Sequence, residues 1–87
     1  MKIRIEPHTL LRAIERGATK DEIMVTLESG LDLLGKKGRI GKSMVFDFKK
    51  MRNEKFYEEK KLEVFYLIEV ETIITITVYV FYGKFNL

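Results

Sequence analysis

A chain of 87 residues, 46% apolar and without cysteine, is long enough for one compact domain and too short for two; the missing thiols exclude a disulfide framework, and a single histidine leaves a conventional zinc centre short of ligands. The longest apolar runs, such as 73–82, are too short and too rich in threonine to span a bilayer, and the first residues show no signal-peptide pattern, so the expectation is a cytoplasmic chain with no membrane contact, no metal and no cofactor. The net charge of +3 conceals an asymmetry: residues 36–55 hold eight basic side chains against two acidic ones, a net of +6, which leaves the rest of the chain at −3.

Taken in chain order, Met1 to Ile5 alternates and is expected to form the first strand. Pro7, whose missing N–H costs nothing in a first turn, opens a helix that ends at Gly17. Thr19 and Glu22 have the spacing of a capping box, so a second helix starts there and runs to about Ser29, with Gly30 as its stop. Leu10, Leu11 and Ile14 are the expected buried stripe of the first helix; Ile23, Met24 and Leu27 are that of the second.

Residues 30–42 read as a glycine-rich connector containing GKKGRIGKS, residues 35–43, which invites comparison with a phosphate-binding loop. Counting excludes it. Gly41-Lys42-Ser43 needs a partner glycine at position 36, which is Lys36, and the following Met44 to Phe48 alternates as a strand where a helix is required. That strand is expected over 43–48. A charged stretch follows, then strands at about 61–69 and 73–82 joined by a turn at 70–72 that pairs Glu63 with Tyr79.

In the last strand Ile74, Ile76, Val78, Val80 and Tyr82 form the expected core face, matched by Leu62, Val64, Tyr66 and Ile68. The opposite face carries Ile73, Thr75, Thr77, Tyr79 and Phe81 beside Glu63, Phe65, Leu67 and Glu69. Its mixed character suits a ligand surface, and equally suits exposed strands built from good strand formers. The order β-α-α-β-β-β implies an α+β fold in which an antiparallel sheet packs on an N-terminal helical hairpin.

Two groups of cations stand out. His8, Arg12 and Arg16 are four apart and share a helix stripe turned away from the apolar one. His8 lies near a helix N-terminus, where the macrodipole favours the neutral imidazole able to accept a proton. A local reading of the same stripe has Arg12 paired with Glu15, Arg16 bound to nearby backbone and His8 acting as a cap. The basic central segment suits nucleic acid or an acidic protein, and also suits a loop kept soluble by lysines.

The string His8-x3-Arg12-x3-Arg16-Gly17-x-Thr19-x-x-Glu22, followed by a glycine, the central Gly38-Arg39 and the late Thr77-Val78-Tyr79, resembles a family of small domains of unassigned function related to the RelE, ParE and BrnT toxins. The resemblance spans about residues 5–83. It implies a fold similar to that of the microbial ribonucleases and an activity in which a toxin cleaves mRNA, on the ribosome or free, and is silenced by an antitoxin protein. RelE-type enzymes carry arginine, lysine and tyrosine on the sheet, and those positions do not match residue by residue here.

Metal-independent RNA cleavage needs a base for the 2′-hydroxyl, cations for the phosphorane and an acid for the leaving oxygen. His8 suits base or acid, with Glu63 as the competing candidate; Arg12 and Arg39 suit a bidentate phosphate clamp. Arg16, Lys36, Lys37, Lys42, Lys49, Lys50 and Arg52 are the expected backbone-tracking cations, and Tyr79 the expected stacking ring. The competing readings are a non-enzymatic module that docks an acidic protein and a homodimer joined through an exposed strand edge.

Overall fold

A computed structural model describes residues 1–85 and orders them as β1 (Lys2–Arg4), α1 (Pro7–Glu15), α2 (Lys20–Ser29), β2 (Leu31–Leu34), a 3-10 turn (Lys36–Gly38), β3 (Ile40–Arg52), β4 (Lys55–Glu69) and β5 (Thr72–Gly83). The strands form a single sheet in the order β1-β5-β4-β3-β2. Both helices pack on one of its faces, α1 against β5 and α2 against β3 and β4. The α+β class and the helical hairpin are those expected. No helix among the described residues is long and apolar enough to cross a membrane.

The sheet is larger than the alternation of apolar residues suggests. Part of the connector is itself a strand, β2, paired antiparallel to β3 from Leu31↔Ser43 to Leu34↔Ile40. The three-residue β1 joins β5 in parallel, which makes the sheet mixed. The charged stretch is not a loop either, because β3 runs on through it to Arg52 and returns as β4 from Lys55. Asn53 (φ 51°) and Glu54 (φ 67°) make that return, and Val70 (φ 46°) and Glu71 (φ 61°) make the next. Positive φ at both central residues marks the tight hairpin turn whose twist matches that of its strands. Neither pair is the usual Asn-Gly, so the sequence signal is faint. The second turn is one residue shorter than expected and pairs Glu69 with Thr72, while Glu63↔Tyr79 holds.

Strand β5 carries a bulge that period-two counting misses. Phe65 pairs with Thr77 and Tyr66 with Thr75, leaving Ile76 as the extra residue. An added residue flips the alternation. Val78 and Val80 therefore face the helices as expected, but before the bulge the covered face passes to Ile73 and Thr75, not to Ile74 and Ile76.

The bulge also explains how α1 sits. Its buried positions are Thr9 and Ala13, whereas Leu11 and Ile14, expected in the core, are 59% and 58% exposed. β1 covers β5 only from Thr72 to Ile74. Beyond it, α1 serves the open strand edge with polar groups: Glu6 N–H donates to Thr75 Oγ1 (3.0 Å), Thr9 Oγ1 donates to Ile76 O (3.2 Å) and Arg16 Nη1 donates to Val78 O (2.6 Å). Unpaired edge carbonyls are costly to leave buried, and their demand turns the helix away from its more apolar face. For α2 the sequence pattern holds, with both capping-box bonds formed at 2.9 and 3.1 Å and Ile23 and Leu27 buried. The core joins Ala13, Ala18, Ile23 and Leu27 to Leu62, Val64, Tyr66 and Val78.

The C-terminus of α1 is fastened by the sheet. Gly17 adopts φ 95°, Ala18 N–H donates to Ala13 O (2.8 Å) and Gly17 N–H to Ile14 O (3.0 Å), the paired bonds of a Schellman stop. The remaining carbonyls of this end are taken by side chains from three strands: Glu15 O by Arg52 Nη2 (3.2 Å), Arg16 O by the Tyr82 hydroxyl (2.7 Å) and Gly17 O by Lys60 Nζ (2.7 Å). Burial pushes the Tyr82 hydroxyl above its ordinary pKa of 10.0, with Arg52 opposing and Glu22 reinforcing the shift. The folded protein thus holds this proton after the unfolded chain has released it, so stability falls as pH rises above about 10. Tyr82→Phe is expected to lower stability at pH 7 by about 1 kcal/mol, the worth of one hydrogen bond, and to flatten the alkaline decline in a series of denaturant melts; an equally steep decline in the variant would rule out Tyr82 as its source.

Candidate functional site

Two glycines of the connector, Gly35 and Gly41, serve packing. A Cβ on Gly35 would lie 2.6 Å from Phe65 Cε1, and one on Gly41 would lie 2.9 Å from Phe65 Cδ1. Phe65 is held edge-on between the two and is only 7% exposed although it projects from the face without helices. Between them the chain reverses through Lys37 (φ 58°) and Gly38 (φ 73°). Gly41-Lys42-Ser43 continues within β3, so no helix N-terminus points at this loop.

Folded in this way, the connector overhangs the open face of the sheet and encloses a groove of about 640 Å³. Lys36, Lys37 and Arg39 line one side; Glu63, Phe65, Tyr79 and Phe81 line the other, and Leu33 and Leu34 close the end toward β2. The rings form a connected row, with Phe65 and Tyr79 centroids 6.0 Å apart and Tyr79 and Phe81 6.5 Å apart. Arg16 reaches round the β5 edge to stand 5.6 Å from the Tyr79 ring centre. A helix-borne arginine and the connector cations thus border one aromatic surface. Lys61 lies over Phe81 at 5.4 Å and 3.6 Å from Glu63 Oε2.

Other cations named from the sequence lie elsewhere. His8 and Arg12 are exposed on α1 and do not line the groove. Lys42 sits opposite Val64, on the helix-covered side of the sheet, and its ammonium donates to Asp32 Oδ1 (2.6 Å). That bond, more than any other influence, raises its pKa above the ordinary lysine value. Lys49, Lys50 and Arg52 lie past a register shift near the far end of β3, about 33–43 Å along the strand from Arg39 at the usual rise per residue. Arg52 is further committed to Glu15 O and to the Tyr82 ring, 4.9 Å away.

Phe65, Phe81 and Lys61 complete the surface and were not singled out in the sequence. Their signal was present, since alternation already put both phenylalanines on the face of Glu63 and Tyr79. What pointed the other way was size: a large apolar ring in a strand reads as core. Chemically, the groove offers cations for phosphates, rings for planar groups and one carboxylate. No protein-family model matches this chain, and neither a characterised protein nor a solved structure is significantly similar to it.

Proposed function

We propose that the open face of the sheet binds single-stranded RNA. The observation that carries this reading is the row of rings, Phe65, Tyr79 and Phe81, bordered by Lys36, Lys37 and Arg39 from the connector and by Arg16 from α1. Bases stack on such rings whatever their identity, each contributing about 1–3 kcal/mol, while the cations follow the phosphates. A duplex keeps its bases stacked inside and has no use for the rings, which favours single strands.

The test is fluorescence anisotropy with a labelled single-stranded RNA over a range of salt. Affinity is expected to fall linearly on a log–log plot, with a slope of about −0.7 per phosphate neutralised. Arg39→Ala and the pair Lys36→Ala/Lys37→Ala should each flatten that slope, whereas Lys49→Ala/Lys50→Ala should leave it nearly unchanged. Salt-independent binding, or equal losses from both ends of β3, would count against the groove.

Metal-independent cleavage is a second reading, favoured by one observation: Arg39 and Glu63 line the same groove, pairing a phosphate clamp with a proton acceptor. Incubation with labelled mRNA, alone and with ribosomes, separates it from binding. Loss of cleavage in Arg39→Ala but not in His8→Ala would fit a reaction in the groove, and intact RNA throughout would leave binding alone.

A further inference from the structure

We propose that Glu63 makes this groove selective for guanine, an inference that rests on the RNA-binding reading and sharpens it. A carboxylate is out of place among cations that serve phosphates, because at neutral pH it repels the same ligand. Glu63 nevertheless lines the groove, on β4, with its side chain 20% exposed. Among the described residues its carboxylate enters no hydrogen bond, and Lys61 stands 3.6 Å from Oε2, too far for one. Both oxygens thus keep acceptor capacity on a residue that lines the groove.

The strand register supplies the geometry. Glu63 is the cross-strand partner of Tyr79. A base lying against the Tyr79 ring extends its edge over the neighbouring strand, about 4.8 Å away, which is where Glu63 stands. An ionised carboxylate can only accept, and it offers two oxygens side by side. Of the four RNA bases, guanine alone presents two adjacent donors on one edge, N1–H and the N2 amino group. Adenine and cytosine put a ring-nitrogen lone pair beside their amino group, and uracil flanks its single N–H with carbonyls. Each would turn an acceptor toward the carboxylate.

The experiment uses the full chain and 2′-O-methyl pentanucleotides, in which the hydroxyl needed for self-cleavage is blocked, with guanine, inosine or adenine at the centre of a uridine background. The guanine oligomer is expected to bind about tenfold more tightly than the adenine one, within the range of a good bidentate base contact, with inosine, which lacks the N2 amino group, between them. Glu63→Gln should bring the three together while affinity for all-uridine oligomer stays level or rises. Equal, salt-dependent affinities in the unmodified protein would overturn the guanine assignment and leave RNA binding standing. A guanine preference that survives Glu63→Gln would overturn it too, by assigning the discrimination to another group. Failure of every oligomer to bind would remove both readings together.

Discussion

Gly17→Ala is expected to lower the stability of this protein by roughly 2–4 kcal/mol, which combines about 1–2 kcal/mol for forcing a left-handed backbone on an L-residue with the loss of one or two hydrogen bonds worth about 1 kcal/mol each. The backbone is at φ 95°, and a Cβ there would fall 2.0 Å from the Tyr82 hydroxyl and 2.9 Å from Arg52 Nη1. Those two side chains hold the end of α1, so accommodating one methyl group means releasing Arg16 O, Glu15 O or both. In a domain of this size the melting temperature should drop by about 4–8 °C for each kcal/mol. Gly38→Ala is the control. Its φ is 73° but nothing lies within 4 Å of the added atom, so only the backbone contribution applies. Thermal melts by circular dichroism in which the two variants lose equal stability would show that the Tyr82 and Arg52 contacts are not what makes Gly17 necessary.

Lys60→Met should be nearly as damaging, at about 2–3 kcal/mol. The side chain is 8% exposed, and its ammonium donates to Gly17 O and to Glu22 Oε1 at 2.7 and 2.8 Å. Its removal orphans a carbonyl and leaves Glu22 facing apolar atoms. Breaking one side of a fully buried pair costs about 3–5 kcal/mol, and the figure here is lower because Glu22 is 21% exposed and keeps its capping bond from Thr19 N–H. The distinguishing measurement is a double-mutant cycle with Glu22→Gln. Removing the charge that Lys60 neutralises should relieve part of the damage, giving a coupling energy of about 1 kcal/mol or more. Strict additivity in urea melts would mean that Lys60 acts only through its bond to Gly17 O.

Much of the fold was legible because local chemistry and tertiary structure agree there. The Thr19–Glu22 box and the stop at Gly17 are short-range signals that the whole structure reinforces, whereas the Glu63↔Tyr79 pairing holds because the shorter turn and the extra residue Ile76 offset each other. The misreadings share one cause, which is that an edge or a turn overrode a periodic pattern. Ile76 slips out of register and hands the covered face to Thr75; α1 then follows the carbonyls of β5 and leaves Leu11 and Ile14 in solvent. The long β3–β4 ribbon stayed hidden because its lysines and glutamates resemble a solvated loop.

The site was legible one residue at a time but not as a set. Sequence named Arg39, Glu63, Tyr79, Lys36 and Lys37, and only the register of β3 on β4 and β4 on β5 brings them to one groove. Lys42 and Arg52 have the same charge as their neighbours, but each is committed to a bond within the protein. Phe65 is the reverse case: two glycines a few residues apart were the trace of a ring they both have to admit.

The parallel pairing of β1 with β5, which joins Lys2 to Thr72, bears on how the chain is made. During synthesis the helical hairpin precedes strands β2 to β5, and β5, which takes the polar groups of α1, is the last of the described strands to follow it. Contacts that span so much of the chain form slowly, since loop closure comes before their reward. Until β5 has emerged, Ala13 on α1 lacks the strand that helix packs against, whereas Ile23 on α2 can already meet β3 and β4. The nascent protein must therefore carry α1 undocked after α2 has found its sheet, until β5 arrives.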